Sequence, residues 1–130
     1  MSRLAAVVLV VRDLDRALVL YEQGLGFQRL EDASDVPSLG ARHVVLRADN
    51  CLVELLEPHD EEKPPGLFLR ARGEGVFSLA LEVTDPADAG ARLAARFVDA
   101  RGAAEDPSRF YVRPADAHGL LIQVSPASSS

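Results

Sequence analysis

Cysteine is almost absent from this 130-residue chain: Cys51 stands alone, so no internal disulfide can form. Its neighbours Asn50, Leu52 and Val53 supply no cation to activate the thiol, and it reads as a small strand residue. Lysine is equally scarce. Lys63 is the only one among fourteen basic residues, a bias toward arginine that fits a GC-rich coding sequence and carries no functional weight. Tryptophan is missing, and two tyrosines and five phenylalanines offer few stacking platforms, so large planar ligands are poorly served. Long apolar runs are missing as well. The stretches Leu4 to Val11 and Val44 to Leu46 fall far below the roughly 20 residues that cross a bilayer. The first residues show no signal-peptide cleavage pattern, so the expected address is the cytoplasm, with no membrane partner. Positive charge is in deficit: fourteen Lys plus Arg against twenty Asp plus Glu give a net charge of −6, which repels phosphate backbones and excludes nucleic acid as the expected partner.

What is present is the balance of a globular domain, with 48% hydrophobic and 26% charged residues, enough to build one packed core. Leu4 to Val11 is a β-branched apolar run that stops at Arg12-Asp13 and reads as a buried strand. Asp13 then caps a helix whose face is Leu14, Ala17, Leu18 and Tyr21, ending near Gly24 and Gly26. Phe27 to Glu31 reads as a short strand and Asp32 to Gly40 as a surface loop. Arg42 to Ala48 and Cys51 to Glu57 read as two strands joined through Ala48-Asp49-Asn50, a hairpin turn composition. Prolines and glycines between Pro58 and Gly75 mark a linker over residues 59–74, with one helical turn conceivable at Leu67 to Ala71.

The pattern then begins again. Val76 to Val83 is a strand, Asp85-Pro86 a helix cap with proline at the first helical position, and Ala89, Leu93 and Phe97 a helical face. Val98 to Ala100, Arg109 to Arg113 and Leu120 to Ser125 are the remaining strand candidates, and Ser128 to Ser130 a frayed tail. The halves superpose in register: Asp13 matches Asp85 at an offset of 72, and Leu52-Val53-Glu54-Leu55 matches Leu121-Ile122-Gln123-Val124 at an offset of 69. The expected fold is therefore α+β, a single domain over residues 1–130. Two βαβββ modules, about 1–58 and 75–126, would form a curled mixed sheet around a shared cleft.

Several phrases carry a family resemblance: Val10 to Ala17 (VVRDLDRA), Tyr21 to Phe27 (YEQGLGF), Glu54 to Pro58 (ELLEP), Arg72 to Gly75 (RGEG) and Pro114 to Gly119 (PADAHG). With the internal repeat, they make the chain resemble the vicinal-oxygen-chelate superfamily of glyoxalases, bleomycin resistance proteins and dioxygenases, nearest to methylmalonyl-CoA epimerase-like and glyoxalase-like members. The resemblance implies a cleft that takes a small molecule, and a homodimer. In metal-using members, the first and last long strand of each module supply one metal ligand apiece. The resemblance places those four positions at Ala6, Glu54, Ser78 and Gln123. Ala6 has no donor atom, Ser78 a neutral hydroxyl, and Gln123 a neutral carbonyl, so a transition metal would be held feebly and no metal or other cofactor is expected. The histidines do not compensate: His43 falls in a strand, His59 after Pro58 and His118 in a turn, with no ligand spacing between any two.

Glu54 is the strongest candidate for catalysis. Leu52, Glu54 and Leu56 share one strand face, and a carboxylate between leucines either moves a proton next to a carbonyl, accepts a bond from a ligand, or pairs with Gln123 or an arginine. Gln123, Ser78 and Ala6 line the same expected cleft, and Arg109 and Arg113 with Tyr111 could hold an anionic ligand at its rim. The function expected is a small-molecule-binding protein or metal-independent enzyme with a degenerate metal site. A metal-dependent isomerase or lyase recruiting His43 or His118, and a non-catalytic sequestering protein, are the alternatives.

Overall fold

The computed structural model describes residues 2–127, so the expected tail Ser128 to Ser130 lies outside the described residues. Among the described residues, eight strands and three α-helices follow in the order strand, helix, strands, then a connecting helix, then strand, helix, strands, so the α+β class with mixed strand pairing is present. They divide into two compact units, one of residues 6–77 and one of the chain start up to Ala5 with the residues from Ser78 onward.

In the first unit, β1 (Ser2–Val10) runs parallel to β5 (Cys51–Pro58), and β5 pairs antiparallel with β4 (Ala41–Ala48). The turn at Asp49-Asn50 joins β4 to β5 as expected. β2 (Gln28–Arg29) and β3 (Ser34–Val36) both pair with β4. β3 and a 3₁₀ turn, Pro37–Leu39, occupy the segment expected to be irregular loop. Helix α1 (Leu14–Leu18) begins where two carboxylates satisfy its free amides: Asp13 accepts from Arg16 N–H, and Glu57 accepts from Leu14 N–H at 2.7 Å. It continues as a π-helix through Val19–Gly24, one residue wider per turn than the 3.6-residue spacing anticipated.

Strand alternation sorts this unit into two faces. Val44, Leu46 and Leu55 pack with Val11, Leu14 and Leu18 under α1. On the opposite face Val8, Val10, Ala41 and Leu56 pack with Phe68, Leu69 and Phe77. Phe68 and Leu69 belong to α2 (Pro64–Arg72), a nine-residue helix in the stretch expected to connect the modules. Proline at its start suits a position whose N–H would be unsatisfied anyway, and the apolar pair Phe68-Leu69 gives it a surface to bury. Gly66 allows the close fit: a Cβ there would lie 2.2 Å from the carbonyl oxygen of Asp60.

In the second unit, β6 (Gly75–Val83) is parallel to β8 (Leu121–Pro126), and β7 (Phe110–Val112) is antiparallel to β8. Asp85 caps α3 (Pro86–Ala95) by accepting from Asp88 N–H, with Pro86 at the first helical position as the sequence indicated. Phe110, Val112 and Val124 form the core with Val83, Ala89 and Leu93. Two local expectations fail. Phe97 does not extend the helical face: it sits beyond α3 with φ 63° and is 98% exposed. Val98 to Ala100 forms no strand. Only a single bridge, Arg101 to Tyr111, stands in its place, because Gly102 turns the backbone with φ 92° immediately afterwards.

Candidate functional site

The first unit brings Glu54 to a partner that sequence reasoning missed. Val8, Glu54 and Val45 are cross-strand partners, so all three lie in one row of the face opposite α1, with Ala6 two residues along β1. His43 lies two residues before Val45 on the same face, and its Nδ1 is 2.6 Å from Glu54 Oε2. The side chains are 26% exposed for Glu54 and 28% for His43, so both remain reachable while partly desolvated. The expected alternatives for a structural Glu54, Gln123 or an arginine, are replaced by this imidazole. The pair was legible in principle: the β4–β5 hairpin register puts position 43 diagonal to position 54, but only once the turn is fixed at Asp49-Asn50.

At 2.6 Å one group must donate. With Glu54 ionised, His43 Nδ1–H donates to the carboxylate and Nε2 keeps its lone pair, the tautomer of a proton acceptor. The other histidines do not join this pair. His59 Nε2 contacts Asp35 Oδ1 at 2.6 Å at an exposed position, and His118 occupies a left-handed turn with φ 58° before β8.

The second unit gathers three of the other expected residues. Arg101, Tyr111, Gln123 and Ala80 are successive cross-strand partners, and Arg109 lies two residues before Tyr111. Arg101, Arg109, Tyr111 and Gln123 line one open cleft of about 380 Å³ on the face away from α3. Arg101 was not singled out because its position follows from the isolated bridge, which has no strand pattern in the sequence. Arg113 does not line this cleft; it turns to Asp116, 3.1 Å away. Ser78 is only 2% exposed, so its hydroxyl is closed off from direct ligand contact.

The donors at the four positions implied for a divalent metal do not suit one. The first unit offers Ala6, without a donor, and Glu54, already bonded to His43; the second offers buried Ser78 and the neutral amide of Gln123. Among the described residues no group of three or more His, Cys, Asp or Glu side chains is assembled as a ligand set.

Comparison with known proteins agrees with this architecture. The sequence profile of the Glyoxalase/Bleomycin resistance protein/Dioxygenase superfamily matches residues 3–124, and the chain belongs to that superfamily. Solved structures share the fold. A methylmalonyl-CoA epimerase from Mycobacterium tuberculosis is 29% identical with a TM-score of 0.75, over 96% of this chain and 88% of that one. A hypothetical protein from Bacillus halodurans C-125 superposes with a TM-score of 0.81 at 22% identity, over 99% and 96% of the two chains. A Streptomyces coelicolor methylmalonyl-CoA epimerase in complex with 2-nitronate-propionyl-CoA gives a TM-score of 0.76 at 24% identity, over 98% and 97%. No curated protein sequence matches. Among the described residues no helix is long and apolar enough to cross a membrane.

Proposed function

We propose that this chain is a metal-independent proton-transfer enzyme of isomerase or lyase type, acting on a small organic molecule with an acidic C–H beside a carbonyl. The observation that carries this is the 2.6 Å contact between Glu54 and His43, both partly buried on one strand face. A carboxylate holding Nδ1–H orients the ring, leaves Nε2 to take the proton, and balances the imidazolium that results. As the C–H bond breaks, its electron pair moves into the carbonyl to give an enolate. Return of the proton from Nε2 completes the exchange, and no redox partner is needed. The likeness to methylmalonyl-CoA epimerases supports an acyl thioester as the substrate class, since methylmalonyl-CoA carries such a C–H next to its thioester. A homodimer, as the superfamily resemblance implies, and a cytoplasmic address complete the proposal.

The test is incorporation of deuterium from D₂O into methylmalonyl-CoA, followed by mass spectrometry with and without chelator. Wild-type protein is expected to exchange the α-hydrogen equally in both. Glu54→Gln and His43→Gln should each slow exchange by roughly 10²-fold or more. Glu54→Gln should keep its melting temperature, because it removes a charge and retains an acceptor for His43, and His43→Gln should keep it because its amide N–H can still donate to Glu54. Exchange that vanishes with chelator, or that survives both substitutions, overturns the reading.

A further inference from the structure

The cleft of the second unit has a chemistry that proton transfer at Glu54 does not require. Its floor is the row Ala80, Gln123 and Tyr111 across β6, β8 and β7, which continues to Arg101 through two backbone hydrogen bonds of 2.9 Å to Tyr111. The loop between Arg101 and Arg109 is itself built. Glu105 and Asp106 N–H both donate to the Gly102 carbonyl, and Arg109 N–H donates to the carbonyl of Asp106. Both arginines therefore leave the two ends of one short, internally bonded loop and line the same cavity.

Neither guanidinium is strongly neutralised. Arg101 meets Asp99 only at 3.5 Å, with both side chains about half exposed. Arg109 makes no ion pair among the described residues. Asp106, the acid nearest in sequence, is turned to Ser108, accepting from its Oγ–H at 2.6 Å and its N–H at 3.0 Å. In a chain of net charge −6, two arginines lining one cavity, one without an ion pair among the described residues and the other held only by an exposed carboxylate at 3.5 Å, form a local exception. The Tyr111 hydroxyl and the Gln123 amide add neutral donors beside them.

We infer that this cleft is a binding site for the carboxylate of a small organic acid, held by the guanidinium forks of Arg101 and Arg109 with Tyr111 and Gln123 as flanking donors. A planar carboxylate matches the fork with two parallel N–H···O bonds, and two guanidiniums can hold it from both sides. A volume of about 380 Å³ admits a ligand of metabolite size rather than a peptide. The inference does not depend on Glu54, and its test reads binding alone.

The experiment is a titration of the full chain with succinate, its neutral diamide succinamide, and inorganic phosphate, following the arginine Nε–H signals by NMR. Succinate is expected to shift the Arg101 and Arg109 signals saturably, and succinamide to leave them still. Arg109→Gln should weaken succinate at least tenfold, and the double substitution with Arg101→Gln should abolish the response. Arg92→Gln, on the exposed face of α3, should bind as wild type does. Tighter binding of phosphate than of succinate overturns the carboxylate assignment. Absence of a saturable shift in the wild type, or retention of affinity in a folded double variant, overturns the site. If a variant fails to fold, the wild-type comparison of succinate with succinamide still decides.

Discussion

The two units place different chemistry on equivalent positions of the same pleat. In the first, the cross-strand row is Val8, Glu54 and Val45; in the second it is Ala80, Gln123 and Tyr111. Two residues before the end of each row stand His43 and Arg109, so a hydrogen-bonded acid–imidazole pair in one unit corresponds to a neutral amide and a cation in the other. Their cover differs too. The first unit buries both faces of its strands, under α1 and under α2, whereas the buried core of the second lies on the α3 side and its other face carries the open cleft. The pairing β1–β5–β4 in one unit thus has its counterpart in β6–β8–β7 in the other, while burial decides which chemistry each face can carry. A half-desolvated face suits a proton-holding pair, and an open one suits a fixed cation.

The difference in packing predicts the largest stability effects. Leu46→Ala, at a fully buried position of the first core, should cost about 2–5 kcal/mol in urea unfolding. Leu93→Ala, only partly buried against the second core, should cost about 1 kcal/mol. Equal losses would show that the second core is packed as tightly as the first, and would break the comparison.

The cover supplied by α2 is tested by Gly66→Ala, since the added Cβ meets the backbone carbonyl of Asp60 and that contact cannot swing away. A loss of about 2 kcal/mol is expected in the same unfolding measurement. An unchanged midpoint would mean that α2 docks with slack and that the second face of the first unit is loosely closed.

Phe97, by contrast, packs on nothing and holds a left-handed backbone that a bulky side chain resists. Phe97→Asn should raise stability by about 0.5–1 kcal/mol, seen as a higher melting temperature. A fall would show that the exposed ring has a packing role.

The smallest effects concern one surface carboxyl in each unit. The Arg29 guanidinium bonded to Glu22 holds that carboxyl below its usual range, and the Ser108 hydroxyl and N–H do the same for Asp106. A depressed carboxyl binds fewer protons folded than unfolded. Each therefore contributes stability above the ordinary carboxylate range, and that contribution is lost as pH falls through the folded-state value. Arg29→Gln should return Glu22 alone toward ordinary titration, and Ser108→Ala should do so for Asp106 alone, as followed by carboxyl-carbon NMR. Joint movement of both would contradict independent units.

The amino-acid sequence by itself determined the class of fold and most of its element order. Alternating apolar strands, the Asp13 and Asp85 caps and the repeat at offsets of 72 and 69 are local or periodic signals, and each acts within a few residues of where it is written. It also determined that the positions which the superfamily resemblance assigns to metal ligands carry Ala6, Ser78 and Gln123, residue types without a charged or imidazole donor. Tertiary structure decided what periodicity cannot encode. The Glu54–His43 bond depends on hairpin register across eleven residues, α2 becomes a helix because a strand face needs its Phe68 and Leu69, and Arg101 joins Arg109 through a single bridge. Arg113, an equal of Arg109 in the sequence, is drawn to Asp116 instead, because a carboxylate three residues away is a nearer partner than an open cleft.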